Sequence, residues 1–169
     1  MIKFAITASM APGDVGVVQV GGYITTDTDV FSADAGAQTT PAILRKQLDN
    51  IKGAKALEVH INSPGGEVFS AIEMRQALLK HPAAKKTVYI DGLCASAATL
   101  LACIDAPIVM AEGSYIMIHN PMSLAMGDYR EMRAQADVLK SMADQFACIY
   151  AKATNQMPAY INELMDAET

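Results

Sequence analysis

The sequence predicts an α/β fold, a largely parallel sheet with helices packed on it. Two observations carry this expectation. Strand-like apolar segments alternate with helical patterns along most of the chain, the signature of βα units. Of the 169 residues, 51% are apolar, enough to bury a sizeable core in a single domain over residues 1–169.

The elements follow in order. Val15 to Tyr23 is a valine-rich strand. Thr25 to Thr40 is polar and loop-like, with Asp27, Asp29, Asp34 and Gly36. A helix starts with Thr40 as N-cap and Pro41 at its first position, runs to about Ile51 and ends at Gly53. Leu57 to Asn62 alternates apolar and polar residues as a half-buried strand does. A helix from Glu67 to about Lys80 shows apolar residues at Val68, Ile72, Leu78 and Leu79, and stops before Pro82. The strand Thr87 to Ile90 leads into a short helix, Ser96 to Ile104. Two short strands, Ile108 to Met110 and Tyr115 to Ile118, bracket a turn at Glu112-Gly113-Ser114.

Asp128 to about Thr154 reads as one long helix, followed by a second from Pro158 to Met165. Met132, Leu139, Phe146 and Ala153 recur every seven residues, with Ala136, Ala143 and Tyr150 between them. This narrow apolar seam suits helix-to-helix contact, either within the domain or between subunits. Met122, Met126, Met132 and Met142 read as packing residues on adaptable surfaces.

Composition excludes several classes. No apolar run approaches the length of a membrane span, so no membrane insertion is expected. Met1-Ile2-Lys3-Phe4-Ala5-Ile6 is not expected to act as a signal peptide, because Pro12, Gly13 and Asp14 break the apolar stretch. A net charge of −5 gives no electrostatic reason to bind nucleic acid. Cys94, Cys103 and Cys148 are odd in number and lack metal-ligand spacing. They read as small buried hydrophobes in a reducing, cytoplasmic setting. No metal or cofactor is expected, and no phosphate-binding loop provides an ATPase within the chain.

Three segments carry candidate chemistry. Gly92-Leu93-Cys94-Ala95-Ser96-Ala97-Ala98 places a hydroxyl among small residues at a helix start. There the helix dipole and free amides favour negative charge, and a plain N-cap uses the same arrangement. Ile61-Asn62-Ser63-Pro64-Gly65-Gly66 ends a strand in paired glycines, which allow close approach of a ligand or simply turn the chain into the next helix. Tyr115-Ile116-Met117-Ile118-His119-Asn120-Pro121 ends an apolar strand in a histidine, the usual general base for a serine and equally a structural residue. His60 falls within a strand, and His81 sits at a helix end where its positive charge suits the dipole. Cys94, two residues from Ser96, is an alternative thiol nucleophile, although no cysteine-protease signature surrounds it.

Taken in order and spacing, these segments resemble the Clp protease proteolytic subunit family over roughly residues 15–169. The wording is most similar to the Clp-like proteases of phage head-assembly modules. Glu67 follows Ser-Pro-Gly-Gly, Asp91 to Ala97 reads Asp-Gly-x-x-Ala-Ser-Ala, and the chain ends Leu164-Met165-Asp166-Ala167-Glu168-Thr169.

The resemblance implies a crotonase-like spiral of βα units with a long projecting helix. It implies Ser96 as nucleophile, His119 as general base, and the amides of Gly65, Gly66 and Ala97 as oxyanion hole. The triad acid it implies is Glu168, with Asp166 as rival. It also implies a closing strand and helix after residue 169, so a truncated C-terminus is expected. The activity implied is serine endopeptidase cleavage of polypeptides inside a homo-oligomeric ring. Implied partners are an unfoldase ATPase or capsid and scaffold proteins. Two other classes stay open. A crotonase-type acyl-CoA enzyme would share the fold and need no serine–histidine pair, and a catalytically silent ring subunit would serve assembly alone.

Overall fold

The computed structural model describes residues 8–11, 14–27 and 37–169, with the backbone alone for residues 8–11. The expectations for residues 1–6 and for Asp29, Asp34 and Gly36 lie outside the described residues. The chain divides into two compact units, Met1–Ile116 and Met117–Thr169.

In the first unit the described residues build a mixed sheet. The strands are β1 (Ala8–Ala11), β2 (Val15–Ile24), β3 (Gln38–Thr39), β4 (Ala56–Gly66), β5 (Lys85–Ala95), β6 (Ile108–Met110) and β7 (Tyr115–Met117). The order is β1-β2-β4-β5-β6, with β3 on β2 and β7 on β5. The β2-β4-β5-β6 ladder is parallel, as expected of βα units, and β1 adds antiparallel to β2. Within the stretch read as loop, Gln38–Thr39 pairs with β2.

Helices α1 (Pro41–Asn50), α2 (Val68–Lys80) and α3 (Ala98–Ala102) belong to this unit. Thr40 caps α1 as expected, accepting from the Ile43 amide at 3.4 Å. Asp27 Oδ1 accepts from the Ala42 amide of the same first turn at 2.9 Å. Bonds from the Thr40 side chain and the Ala42 amide hold the Asp27 carboxyl below its ordinary pKa. Strand alternation sends Val18, Val20, Leu57, Val59, Ile61, Val88 and Ile90 into the core, all at most 1% exposed. Leu44 of α1 and Met74 and Leu78 of α2 are equally buried. The alternate residues of the central strands stay half-exposed. There His60 stacks on Tyr89 at 4.7 Å between ring centroids, and its Nδ1 pairs with the Asp91 carboxylate at 3.0 Å.

One electrostatic expectation is overturned. His81 is buried, and burial lowers its pKa, so its imidazole is neutral and offers no charge to the end of α2. Lys86 of β5 supplies that charge instead. Its Nζ donates to the Leu78 and Leu79 carbonyls at 2.9 and 2.7 Å.

The second unit holds α4 (Tyr129–Thr154) and α5 (Pro158–Asp166). Asp128 caps α4 in a reciprocal capping box with Glu131, and Asn155 ends it in the left-handed region at φ 55°. The seven-residue seam splits. Ala143, Phe146 and Tyr150 are buried, as are Ile161 and Met165 of α5. Met132, Ala136 and Ala153 are exposed, as is Val138 between them. Met122, Met126 and Met132 are likewise exposed rather than packed within the chain, whereas Met142 is partly covered. Cys148 is also exposed, contrary to expectation, because it lies off the buried stripe of α4. Among the described residues no helix is long and apolar enough to cross a membrane.

Candidate active site

The first part of the site is built where β4 and β5 leave regular pairing. Ile61 pairs with Ile90 and the next pair is Ser63 with Cys94, so Asn62 alone opposes Asp91, Gly92 and Leu93. The β2–β4 pairing is irregular at the same level, between Gly21 and Tyr23. Both strands therefore run through the motifs as bulged extensions, where the sequence suggested turns.

Ser63 is fully buried. Its hydroxyl donates to the Gly22 carbonyl at 2.6 Å and accepts from the Gly65 amide at 3.1 Å. Of the three amides expected to face an oxyanion, that of Gly65 is therefore already engaged. The Glu67 amide donates to the Ile24 carbonyl of β2 at 2.8 Å.

Gly65 sits at φ +95°, and a Cβ built there would lie 2.6 Å from the Ala95 oxygen, 2.7 Å from Ser96 Cβ and 2.9 Å from the Ala97 nitrogen. Only glycine fits, and its absent side chain brings the turn against the serine. Gly66 is equally constrained at φ +143°, with Ile24 O 2.1 Å from a built Cβ.

Ser96 itself adopts φ +53°, an uncommon conformation for a residue with a side chain. It does not begin the helix, contrary to expectation. Ala97 holds the N-cap position of α3, which spans only five residues. The Ser96 carbonyl accepts from the Thr99 amide at 3.0 Å and from Thr99 Oγ1 at 2.5 Å, which tightens the elbow. Its neighbours Cys94, Ala95, Ala97 and Ala98 are buried, whereas Ser96 is partly accessible. The thiol alternative fares worse on chemistry. Cys94 is 0% exposed, and burial pushes its pKa up to about 12, so it carries no thiolate at neutral pH.

The second unit carries His119, Asp166 and Glu168. The Ile118 amide donates to the Thr169 carbonyl at 2.8 Å, which puts the backbone of Glu168 and His119 one residue either side of a shared bond. Glu168 adopts φ +54° and is exposed. Asp166 is committed elsewhere, its Oδ1 accepting from Asn120 Nδ2 at 2.7 Å. No group of three or more His, Cys, Asp or Glu among the described residues is arranged to hold a metal ion.

Sequence reasoning missed Asn62 and Ser63 as contributors. The signal was the placement of Asn and Ser just before Pro-Gly-Gly, since both bond readily to nearby backbone in turns.

The Clp protease family model matches residues 23–169. The chain belongs to the Clp protease family. Two Clp relatives are an ATP-dependent Clp protease proteolytic subunit 1 from Synechococcus and an ATP-dependent Clp protease proteolytic subunit from Pleurastrum terricola. They are 29% and 31% identical over 116 residues, 68% of this chain. The aligned stretch spans only 58% and 59% of their lengths. Among solved structures, a ClpP1 mutant from Listeria monocytogenes matches with a TM-score of 0.72 at 20% identity, covering 89% of this chain and 78% of that one. That likeness is one of fold: an α/β Clp architecture with a parallel sheet and a long helix.

Proposed function

We propose that this Clp-family chain is a serine endopeptidase in which Ser96 attacks the scissile carbonyl. His119 takes the serine proton and returns it to the leaving amine, and Glu168 orients the imidazole. The observation that carries this reading is the contact of Gly65 with Ser96 and Ala97. It sets a strained, partly accessible serine against a glycine turn, where backbone amides can meet a developing oxyanion. With the Gly65 amide bonded to Ser63, the amides of Gly66 and Ala97 are the donors for that charge. Glu168 is preferred to Asp166 because Asp166 is engaged by Asn120, while Glu168 neighbours the residue bonded to Ile118.

The chain works as a homo-oligomeric ring that admits unfolded polypeptides, with an unfoldase ATPase or phage capsid and scaffold proteins as partners. The exposed apolar residues of the first half of α4 support self-association. The similarity of the motifs to phage head-assembly proteases supports the capsid setting.

The test is labelling with a serine-directed fluorophosphonate, mapping of the adduct, and cleavage of an unfolded polypeptide. The adduct is expected on Ser96, and Ser96→Ala should abolish labelling and cleavage with folding intact. An adduct on Cys148, or cleavage retained by Ser96→Ala, overturns the reading. A folded, ring-forming chain that is never labelled would instead identify a silent assembly subunit. Sedimentation of the wild type against Val138→Glu tests the ring, which a monomer at all concentrations would refute.

A further inference from the structure

We propose that Asn62 is a positioning residue that sets the reactivity of Ser96 through the backbone of Leu93. The proposal rests on the reading of Ser96 as nucleophile. It starts from the bulge. Three residues of β5 face one residue of β4, so the amides of the bulged stretch lose regular ladder partners. An extended segment of this kind, left unsupported, has several backbone solutions. The serine elbow is the continuation of that segment, only three residues further on.

Asn62 supplies the missing partner. Its Oδ1 accepts from the Leu93 amide at 3.0 Å. The side-chain orientation follows from chemistry, because an N–H donor requires the oxygen and not the Nδ2 group of the amide. Gly92 shows how closely the oxygen is seated. A Cβ built there would lie 2.8 Å from Asn62 Oδ1 and 3.3 Å from its Cγ. The φ of Gly92 lies outside the left-handed region, so space rather than backbone conformation calls for glycine. The glycine is therefore explained by the asparagine it accommodates.

Asn62 is itself exposed, unlike its neighbours Ile61 and Ser63, and contributes little to the core. Its bond joins the strand that ends in the glycine turn to the strand that ends in the serine. Those are the two pieces whose relative placement decides whether the oxyanion amides and Ser96 Oγ address the same carbonyl. Ser63 fixes the turn and Asn62 fixes the approach to the elbow.

Reaction rates depend steeply on such placement, and a displacement of about 1 Å can cost on the order of a hundredfold. Asn62→Ala should therefore lower kcat and the rate of fluorophosphonate capture by about tenfold to a hundredfold. KM and melting temperature should stay close to wild type. Hydrogen exchange at the Leu93 amide should quicken. Asn62→Asp keeps an acceptor in the same place and should restore most of the rate. Gly92→Ala should imitate Asn62→Ala by displacing the oxygen, and should cost nothing further when Asn62 is already alanine, as coupled residues do in a double-mutant cycle.

Wild-type kcat and capture rate in both Asn62→Ala and Gly92→Ala, with Ser96→Ala inactive, overturns this proposal and leaves the nucleophile reading intact. Cleavage retained by Ser96→Ala overturns both. Should Asn62→Ala fold poorly, Gly92→Ala and Asn62→Asp carry the test alone, and an unchanged kcat in Gly92→Ala then decides against it.

Discussion

The segment carrying Ser96 and the segment carrying His119 are held by different means. Around Ser96 the residues on both sides are buried, the elbow closes on Thr99, and Gly65 leaves no free space against it. Around His119 the neighbours Asn120 and Pro121 are half-exposed, and residues 122–134 are exposed throughout. Its anchors include a backbone bond from Ile118 to Thr169 and a side-chain bond from Asn120 to Asp166. The Ser96 segment thus inherits the rigidity of central strands, while the His119 segment lies nearer the surface. Local stability follows buried contacts in this way, and the less buried segment is the one to open first.

The sharpest break of this contrast is Gly66→Ala. The left-handed φ alone costs about 1–3 kcal/mol in a residue with a side chain, and the clash with the Ile24 carbonyl adds to it. The variant should either fail to fold or melt far below wild type, with no fluorophosphonate labelling. A stable, labelled Gly66→Ala protein would show that the serine side is more compliant than its packing says.

The second test belongs to the histidine side, where the buried part of α4 supports α5. Phe146→Ala should cost about 3–5 kcal/mol in urea unfolding, as deletions of buried aromatics do. Val138→Ala, on the exposed half of the same helix, should stay within about 0.5 kcal/mol when the chain is kept dilute enough to be monomeric. Equal costs in the monomer would mean that Val138 packs within its own chain.

Third, Glu168→Gln should lower kcat by roughly a hundredfold, since a mispositioned imidazole loses much of its power as a base. Asp166→Asn should cost only a few-fold, through its bond to Asn120. The opposite ranking would make Asp166 the acid, and no effect from either would leave a serine–histidine dyad.

The smallest effect is a pH dependence within the serine-bearing unit. Burial holds the His81 pKa below its ordinary value, so the unfolded chain takes up this proton first as pH falls. Stability from the neutral ring is complete above the unfolded pKa of about 6.5 and declines as pH drops through it toward the folded value. The melting temperature of wild type should fall between about pH 7.5 and about pH 5 more than that of His81→Gln, relative to the ordinary histidine range. Parallel decline in the two proteins would assign the acid sensitivity elsewhere.

What the sequence determined by itself is local. Thr40-Pro41 and Asp128 with Glu131 start their helices where their side chains reach amides two or three residues away, and such contacts need no knowledge of the rest of the chain. Alternation of apolar and polar residues likewise sent Leu57, Val59 and Ile61 inward. The tertiary structure decided whatever depends on a partner distant in sequence. The bulge that makes Asn62 face Leu93 is a property of register between strands. Ser96 fell outside α3 because the extended strand and its positive φ, not a cap, govern that turn. Lys86 rather than His81 completed α2, because a neutral imidazole in an apolar site is favoured over a buried charge, while a lysine from the adjacent strand reaches the open carbonyls. The seam of α4 was readable as a stripe. Which half of it is buried was settled by tertiary packing, in which α4 meets α5, since apolar periodicity marks a face and is silent about what covers it.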